Sequence, residues 1–299
     1  MDWITSIRKS IDYMEDNILT VKGADEVAEA VHMSSFYLQK GFKVMTGYTI
    51  KEYIRNRRLY MAALDVIAGR EKLIDLAFKY GYDTPESFTK AFSRFHGIVP
   101  SKIKYDSGKI KVFLPLKITI SIKGGNEMDF VVEKLSGFKV IGYEKDFSFD
   151  TAYQDIPVFW DKVYKENIGI LGSKGKPDNE EEKTIRNCCI GKYGVNIDDI
   201  GNNMFRYIIA GDYTGGEVPG GMMVYEFPDM EWAKFSCKGP MPGSMQSVNT
   251  KIFNEWLPNN PDYEIAMGAS IELYSKPTDT IGTSDDDYES EIWIPVKKK

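Results

Sequence analysis

The feature that most constrains this chain is an internal echo: Leu38, Phe42 and Gly47 return fifty residues later as Phe88, Phe92 and Gly97. Each set places two apolar side chains one helical turn apart and closes with a glycine suited to a left-handed helix end. Ala28 and Ala77, forty-nine residues apart, mark a shorter helix ahead of each set. The repeat therefore predicts two copies of one element: short helix, tight turn, longer helix.

The surrounding pattern is helical. Ile4, Ile7, Ile11, Met14 and Ile18 alternate spacings of three and four, the stripe of an amphipathic helix. Residues 24–30 read as a short helix, and Ser34 caps the next, which Gly47 stops. Residues 50–68 form a long helix joining the copies; 73–80 and 86–95, capped by Thr84, complete the second. A tandem helix-turn-helix offers the second helix of each copy to a DNA major groove. The inner faces, Leu38/Phe42 and Phe88/Phe92, leave Ser35, Phe36, Gln39, Lys40 and Lys43 outward in the first copy. In the second copy Pro85, Glu86, Thr89, Lys90 and Arg94 take that place. Glutamine and lysine suit the adenine and guanine edges, and an aromatic or threonine methyl suits thymine.

Charge supports this division. The net charge of −6 over 299 residues argues against nucleic acid only if the chain is one body. Residues 1–106 carry +2 and residues 107–299 carry −8. Between Ser34 and Arg58, six basic residues (Lys40, Lys43, Lys51, Arg55, Arg57, Arg58) face one acid, Glu52. Such a patch suits phosphate contacts, which position a protein without reading sequence.

The motifs S-x-x-x-L-Q-K-x-F-K (Ser34–Lys43), Y-I-R-N-R-R-L (Tyr53–Leu59), I-D-L-A-x-x-Y-G-Y (Ile74–Tyr82), F-T-K-A-F (Phe88–Phe92) and F-H-G-I-V-P-S-K (Phe95–Lys102) occur in order. This stretch resembles the DNA-binding domain of the AraC/XylS family of bacterial transcription regulators. The resemblance implies two recognition helices in successive major grooves. By position that role falls to Phe36, Gln39 and Lys40, then to Glu86, Ser87, Thr89 and Lys90. Gly41 stands where the family usually has a larger apolar residue.

The rest of the chain changes character. Ile118, Ile120 and Ile122 alternate with polar residues, a strand ending at Gly124-Gly125. The boundary is placed near residue 108, giving a DNA-binding domain over 1–108 and a second domain over 109–299. Residues 128–297 read as two β-β-α-β-β halves. The expected fold is thus an all-α tandem helix-turn-helix followed by a pseudo-duplicated α+β domain. Two polar stretches, 172–186 and 275–290, read as solvated loops.

Composition limits the chemistry of this second domain. The only histidines are His32 and His96, so beyond residue 106 no Ser-His-Asp or Cys-His engine and no histidine-bound metal is available. Three cysteines make neither a disulfide framework nor a zinc site, and suggest a reducing, cytoplasmic setting. No apolar run is long enough to span a bilayer, and Asp12, Glu15 and Asp16 interrupt any secretory signal. No cofactor or metal is expected. What remains is carboxylates among aromatics. Alternation in 270–275 leaves Glu272 and Tyr274 opposite the core-facing Ile271 and Leu273. Alternation in 291–296 sets Glu291 and Trp293 against Ile292 and Ile294. If the strands share a face, these four offer a place for an organic cation.

The segments M-D-F-V-V-E-K (Met128–Lys134), F-K-V-I-G (Phe138–Gly142), V-P-G-G-M (Val218–Met222), W-A-K-F-S-C-K-G-P (Trp232–Pro240), N-E-W-L-P (Asn254–Pro258), I-E-L-Y (Ile271–Tyr274) and E-I-W-I-P-V (Glu291–Val296) resemble the GyrI-like domain of multidrug-responsive regulators. The resemblance implies a crevice between the halves holding a lipophilic, often cationic effector. Its carboxylate falls on Glu272, with Glu291 and Trp293 beside it and Tyr143, Tyr207 and Trp160 as further wall. The expected function is a ligand-responsive regulator whose partners are double-stranded promoter DNA, a small effector and RNA polymerase, without a membrane. An alternative is an enzyme in which Glu272 or Glu291 acts as general base on an electrophile. A third reading is an architectural DNA binder whose acidic domain contacts proteins.

Overall fold

The computed structural model describes residues 3–103, 105, 107–118, 128, 130–169, 171, 176–201, 203–276, 278 and 281–299. The chain divides into two compact units, 2–123 and 124–299.

The first unit is helical: α1 (Trp3–Asp16), α2 (Ala24–Ala30), α3 (Ser35–Thr46), α4 (Ile50–Ala68), α5 (Leu73–Lys79), α6 (Pro85–His96) and α7 (Pro100–Ile103). Local chemistry sets the ends. Thr49 and Glu52 exchange hydrogen bonds as a capping box at the start of α4, and Thr84 accepts from the Ser87 N–H at the start of α6. Gly47, Gly69 and Gly97 close α3, α4 and α6 in the left-handed conformation. Leu38, Phe42, Phe88 and Phe92 are fully buried, so the echo in the sequence is the inner face of two recognition helices.

The expected boundary near residue 108 falls inside this unit. Residues 110–116 fold back on it as a strap. Ile110 packs on the core beneath α4–α6. The Lys111 N–H donates to His96 Nδ1 (3.2 Å), Arg57 Nη1 donates to the Phe113 carbonyl (2.5 Å), and the Leu116 N–H donates to the Tyr53 hydroxyl (3.4 Å). Phe113 sits edge-on to Tyr48 at 5.2 Å. The strap supplies an aromatic side chain and backbone partners that the helices lack, which is why it docks here. Of the expected strand over 118–122, only Ile118 is among the described residues.

The second unit is a single antiparallel sheet with helices. Its elements are β1 (Phe130–Leu135), β2 (Phe138–Ser148), α8 (Ala152–Val163), α9 (Glu180–Asn187), β3 (Tyr193–Gly201), β4 (Met204–Asp212), β5 (Met222–Phe227), β6 (Met230–Lys238), α10 (Gly243–Lys251), α11 (Leu257–Asn259), β7 (Tyr263–Ile265), β8 (Ala269–Tyr274) and β9 (Glu289–Lys298). A π-helical turn extends α8 over Tyr164–Ile168, and another extends α10 over Ile252–Trp256. The strand order is β1-β6-β9-β8-β3-β4-β2-β5, with β7 on β9. The expected duplication is present: each half contributes three neighbouring strands, and its first strand crosses to pair with the other half. The halves meet at the β3–β8 ladder.

Both sheet faces are covered. One carries the core of Val140, Val195, Ile208, Ala210, Phe227, Trp232, Ile271 and Trp293. The sheet curls over this face, since Phe138 of β2 reaches Trp232 of β6 at 6.0 Å although the two strands lie near opposite ends of the order. Helices pack the other face, with Phe159 of α8 on Phe147 and Trp256 on Phe130 and Phe235. The stretch expected to be a loop over 172–186 contains the start of α9, which Asn179 caps by accepting from the Glu182 N–H.

Candidate functional site

In the helical unit the two copies present different surfaces. On α6, Glu86, Ser87, Lys90 and Arg94 are exposed and Thr89 is half-buried. These five contribute to the solvent-facing surface of α6. On α3, Lys40 and Lys43 are half-buried, while Phe36 (1% exposed) and Gln39 (2%) are buried, contrary to their outward assignment. Phe36 meets Tyr37 edge-on at 5.3 Å and lies under the Lys40 ammonium at 5.6 Å. The Gln39 amide donates to Ser35 Oγ (3.3 Å), whose hydroxyl donates to Asp25 (2.7 Å). An aromatic ring gains more from burial than from water, and this one is drawn inward.

The basic patch is also thinner than its sequence count. Arg57 grips Glu15 with two nitrogens, at 2.8 and 2.7 Å. Arg58 donates to the carbonyls of Ile18 and Val21. Lys43 pairs with Glu52 at 3.2 Å. Arg57 and Arg58 therefore hold helices together, leaving Lys51 and Arg55 as the exposed cations of early α4.

In the second unit, register decides which expected residues meet. Glu272 lies opposite Gly194 of β3 and Ile292 of β9. Residues directly opposite share a face, so Glu272 and Tyr274 lie on the helix-covered face with Tyr207, whose partner on β3 is Asn196. Glu291 and Trp293 do not join them. They lie opposite Leu273 and Ile271, on the other face, where Trp293 packs against Tyr193 and Trp232. The face of Trp293 is already occupied by the Lys234 ammonium at 4.1 Å, and its indole N–H donates to Glu291. A one-residue offset in strand pairing inverts every side chain, which separated two carboxylates expected side by side.

Around Glu272 the structure assembles a connected set. Its Oε2 accepts from the Tyr207 hydroxyl at 2.9 Å and from the Tyr274 hydroxyl at 2.8 Å. Trp160 of α8 donates its indole N–H to the Tyr207 oxygen (2.9 Å), and its ring stands edge-on to Tyr274 at 5.0 Å. Burial and the nearby carboxylate hold both tyrosines well above their ordinary value, so they remain neutral donors. Among the described residues, the hydrogen-bond partners of Glu272 are hydroxyls. A carboxylate held by neutral hydroxyls beside aromatic rings can attract a cation.

Two contributors were not singled out from the sequence. Gly194 makes room: a Cβ there would lie 2.0 Å from the Tyr207 hydroxyl and 2.8 Å from Glu272 Oε2. Tyr153 of α8 is half exposed as a whole, but its hydroxyl end accepts from Asn249 of α10 (3.5 Å), and burial of that end, then the Glu272 charge, hold it above its ordinary value. Tyr143 shares the face through its pairing with Ile209, but its hydroxyl donates to Glu181 of α9, which also accepts from Asn167. Among the described residues, no helix is long and apolar enough to cross a membrane.

Comparison with known proteins adds the following. The family model described as GyrI-like small molecule binding domain matches residues 128–297, and the model described as Helix-turn-helix domain matches residues 27–105. The chain is 33% identical over 97 residues to the Transposon Tn10 TetD protein of Escherichia coli, covering 32% of this chain and 70% of that protein. It is 31% identical over 99 residues to the Regulatory protein SoxS of Salmonella typhimurium, covering 33% and 92%. Multiple antibiotic resistance protein MarA of the same organism is 28% identical over 113 residues, covering 37% and 89%. Among solved structures, SAV2435 bound to tetraphenylphosphonium is similar at 20% identity, with a TM-score of 0.45, over 57% of this chain and 94% of that one.

Proposed function

The chain belongs to the GyrI-like small-molecule-binding family, with an AraC-type helix-turn-helix domain ahead of that fold, and on this premise we propose how each unit works. It is a DNA-binding transcription regulator that carries a small-molecule-binding domain. SoxS, a relative over the helical region, is a regulatory protein as well.

The outer face of α6 reads base edges through Glu86, Ser87, Thr89 and Lys90, with Arg94 on phosphate. On α3, Lys40 and Lys43 contribute the first-groove contacts. The effector is a lipophilic cation held at Glu272, with Tyr207, Tyr274 and Trp160 around it. The observation that carries this reading is the half-buried Glu272 carboxylate, bonded to the Tyr207 and Tyr274 hydroxyls beside the Trp160 ring and paired with no described basic group. Binding of the cation changes either DNA affinity or recruitment of RNA polymerase, which requires that the ligand distinguish two states of the protein.

The experiment is a linkage measurement on the full chain. DNA selected by the protein from a random library is titrated with and without saturating tetraphenylphosphonium. A several-fold change in Kd, or an unchanged Kd with altered transcription in a reconstituted system, supports the reading. A ligand that binds yet alters neither overturns it.

A further inference from the structure

The turn that ends α9 carries Cys188 and Cys189 in succession, both as free thiols. The turn is rigid. Cys188 N–H and Ile190 N–H donate to the Thr184 and Ile185 carbonyls, and Gly191 N–H donates to Ala210 on β4. The Cys188 carbonyl lies so near β4 that a Cβ at Gly211 would be 2.0 Å from it. Cys189 is partly exposed in the left-handed conformation (φ 54), whereas Cys188 is buried at 8% exposure. Lys276 Nζ stands 3.7 Å from Cys189 Sγ.

We propose that Cys188 and Cys189 form a dithiol site for trivalent arsenic, as arsenous acid or a monosubstituted arsenical. Consecutive Cα atoms are held about 3.8 Å apart, so rotation about the two Cα–Cβ bonds can bring both sulfurs to one small atom. A direct disulfide between neighbours would close a tight ring far from relaxed S–S geometry; one arsenic atom between the sulfurs lengthens that ring and relieves it. A divalent metal fits poorly. Two thiolates leave its coordination half empty, no group of three His, Cys, Asp or Glu is placed to hold a metal among the described residues, and the Lys276 ammonium repels a cation. A neutral arsenical meets no such repulsion. Burial raises the cost of a thiolate at Cys188, but sulfur bonded to arsenic is neutral and can stay buried.

The chemistry balances without an oxidant. At Cys189, then at Cys188, an As–S bond forms as an As–O bond breaks, and the thiol proton leaves with the hydroxyl as water. Arsenic remains trivalent throughout. The turn also touches the Glu272 cluster: a Cβ at Gly191 would lie 3.9 Å from Trp160, and the Lys192 carbonyl accepts from the Tyr274 N–H.

The test is intact-mass spectrometry of the native full chain after phenylarsine oxide. The parent should gain one phenylarsenic unit and lose two hydrogens, reversibly with a 1,2-dithiol and resistant to a monothiol. Cys188→Ser and Cys189→Ser should each lose that bridged adduct, and Cys237→Ser should keep it. Cys237 is buried on β6 with its thiol pushed up to about 12 by that burial. If either serine variant fails to fold, alkylation mapping of the parent decides: arsenical should protect Cys188 and Cys189 together. Retention of the bridged adduct in either serine variant, protection of neither cysteine, or uptake only after denaturation overturns the proposal.

Discussion

Gly194 and Glu272 face each other across the β3–β8 ladder, and the side chain that Gly194 lacks is the space that the Tyr207 hydroxyl and the Glu272 carboxylate share. The contact sits where the two halves of the sheet join. A duplicated fold places its central pair of strands there, and here one partner is reduced to a hydrogen atom so that the other, a half-buried carboxylate, can keep its two donors.

Substituting Gly194→Ala therefore places a methyl 2.0 Å from the Tyr207 oxygen. Overpacking of this kind costs about 2 kcal/mol. The urea midpoint of the second unit should fall and tetraphenylphosphonium affinity should weaken with it. An unchanged midpoint would mean that the cluster gives way without cost.

Arg57 joins α4 to α1 through Glu15 and to the strap through the Phe113 carbonyl. Arg57→Ala leaves a half-buried carboxylate and a carbonyl without their charged donor, a loss of about 2 kcal/mol. Thermal unfolding of the helical unit should shift down. The strap should become protease-sensitive before the helices do.

His96 gives the helical unit a pH dependence of definite sign. Its Nδ1 accepts from Lys111 N–H, so Nε2–H donates to the Leu59 carbonyl and the folded ring is neutral. Burial holds it below its ordinary value of 6.5, opposed in part by the Leu59 bond and helped by a smaller effect of the Lys111 charge. Between that folded value and 6.5 the unfolded chain binds the extra proton. Its contribution to stability is full above 6.5 and is lost as pH falls through this window. His96→Gln should flatten this part of the stability profile; a variant that keeps the parent slope would assign it elsewhere.

On DNA, Arg94→Ala should weaken binding uniformly across sequences and reduce the salt slope by about 1. Lys90→Ala should instead relax specificity at one base position. Equal salt slopes for parent and Arg94→Ala would remove that residue from the phosphate contacts.

Much of this was legible because the relevant rules are local. Residues 24–30 and 50–68 are read to the residue, since helical periodicity is a local property of the chain. The side of β8 on which Glu272 lies followed from alternation with Ile271 and Leu273. What did not follow was long-range. Strand alternation cannot say that Glu272 pairs with Ile292 rather than Glu291, and that single offset put Glu291 and Trp293 on the opposite face. Phe36 and Gln39 show the same limit on a helix, where periodicity gives a face but not what later covers it. Two signals were present and unused. Asn179 three residues before Glu182 is a helix-start pattern that marks α9, and a glycine inside a strand, as at 194, signals a close approach.

The central claim is that Glu272 supplies the charge that holds a cationic effector. Isothermal titration of tetraphenylphosphonium into the full chain and into Glu272→Gln tests it most directly. The variant preserves shape and acceptor oxygen but removes the charge, so affinity should drop about 10-fold or more while the unfolding midpoint stays near that of the parent. Equal affinity for both proteins would contradict the account.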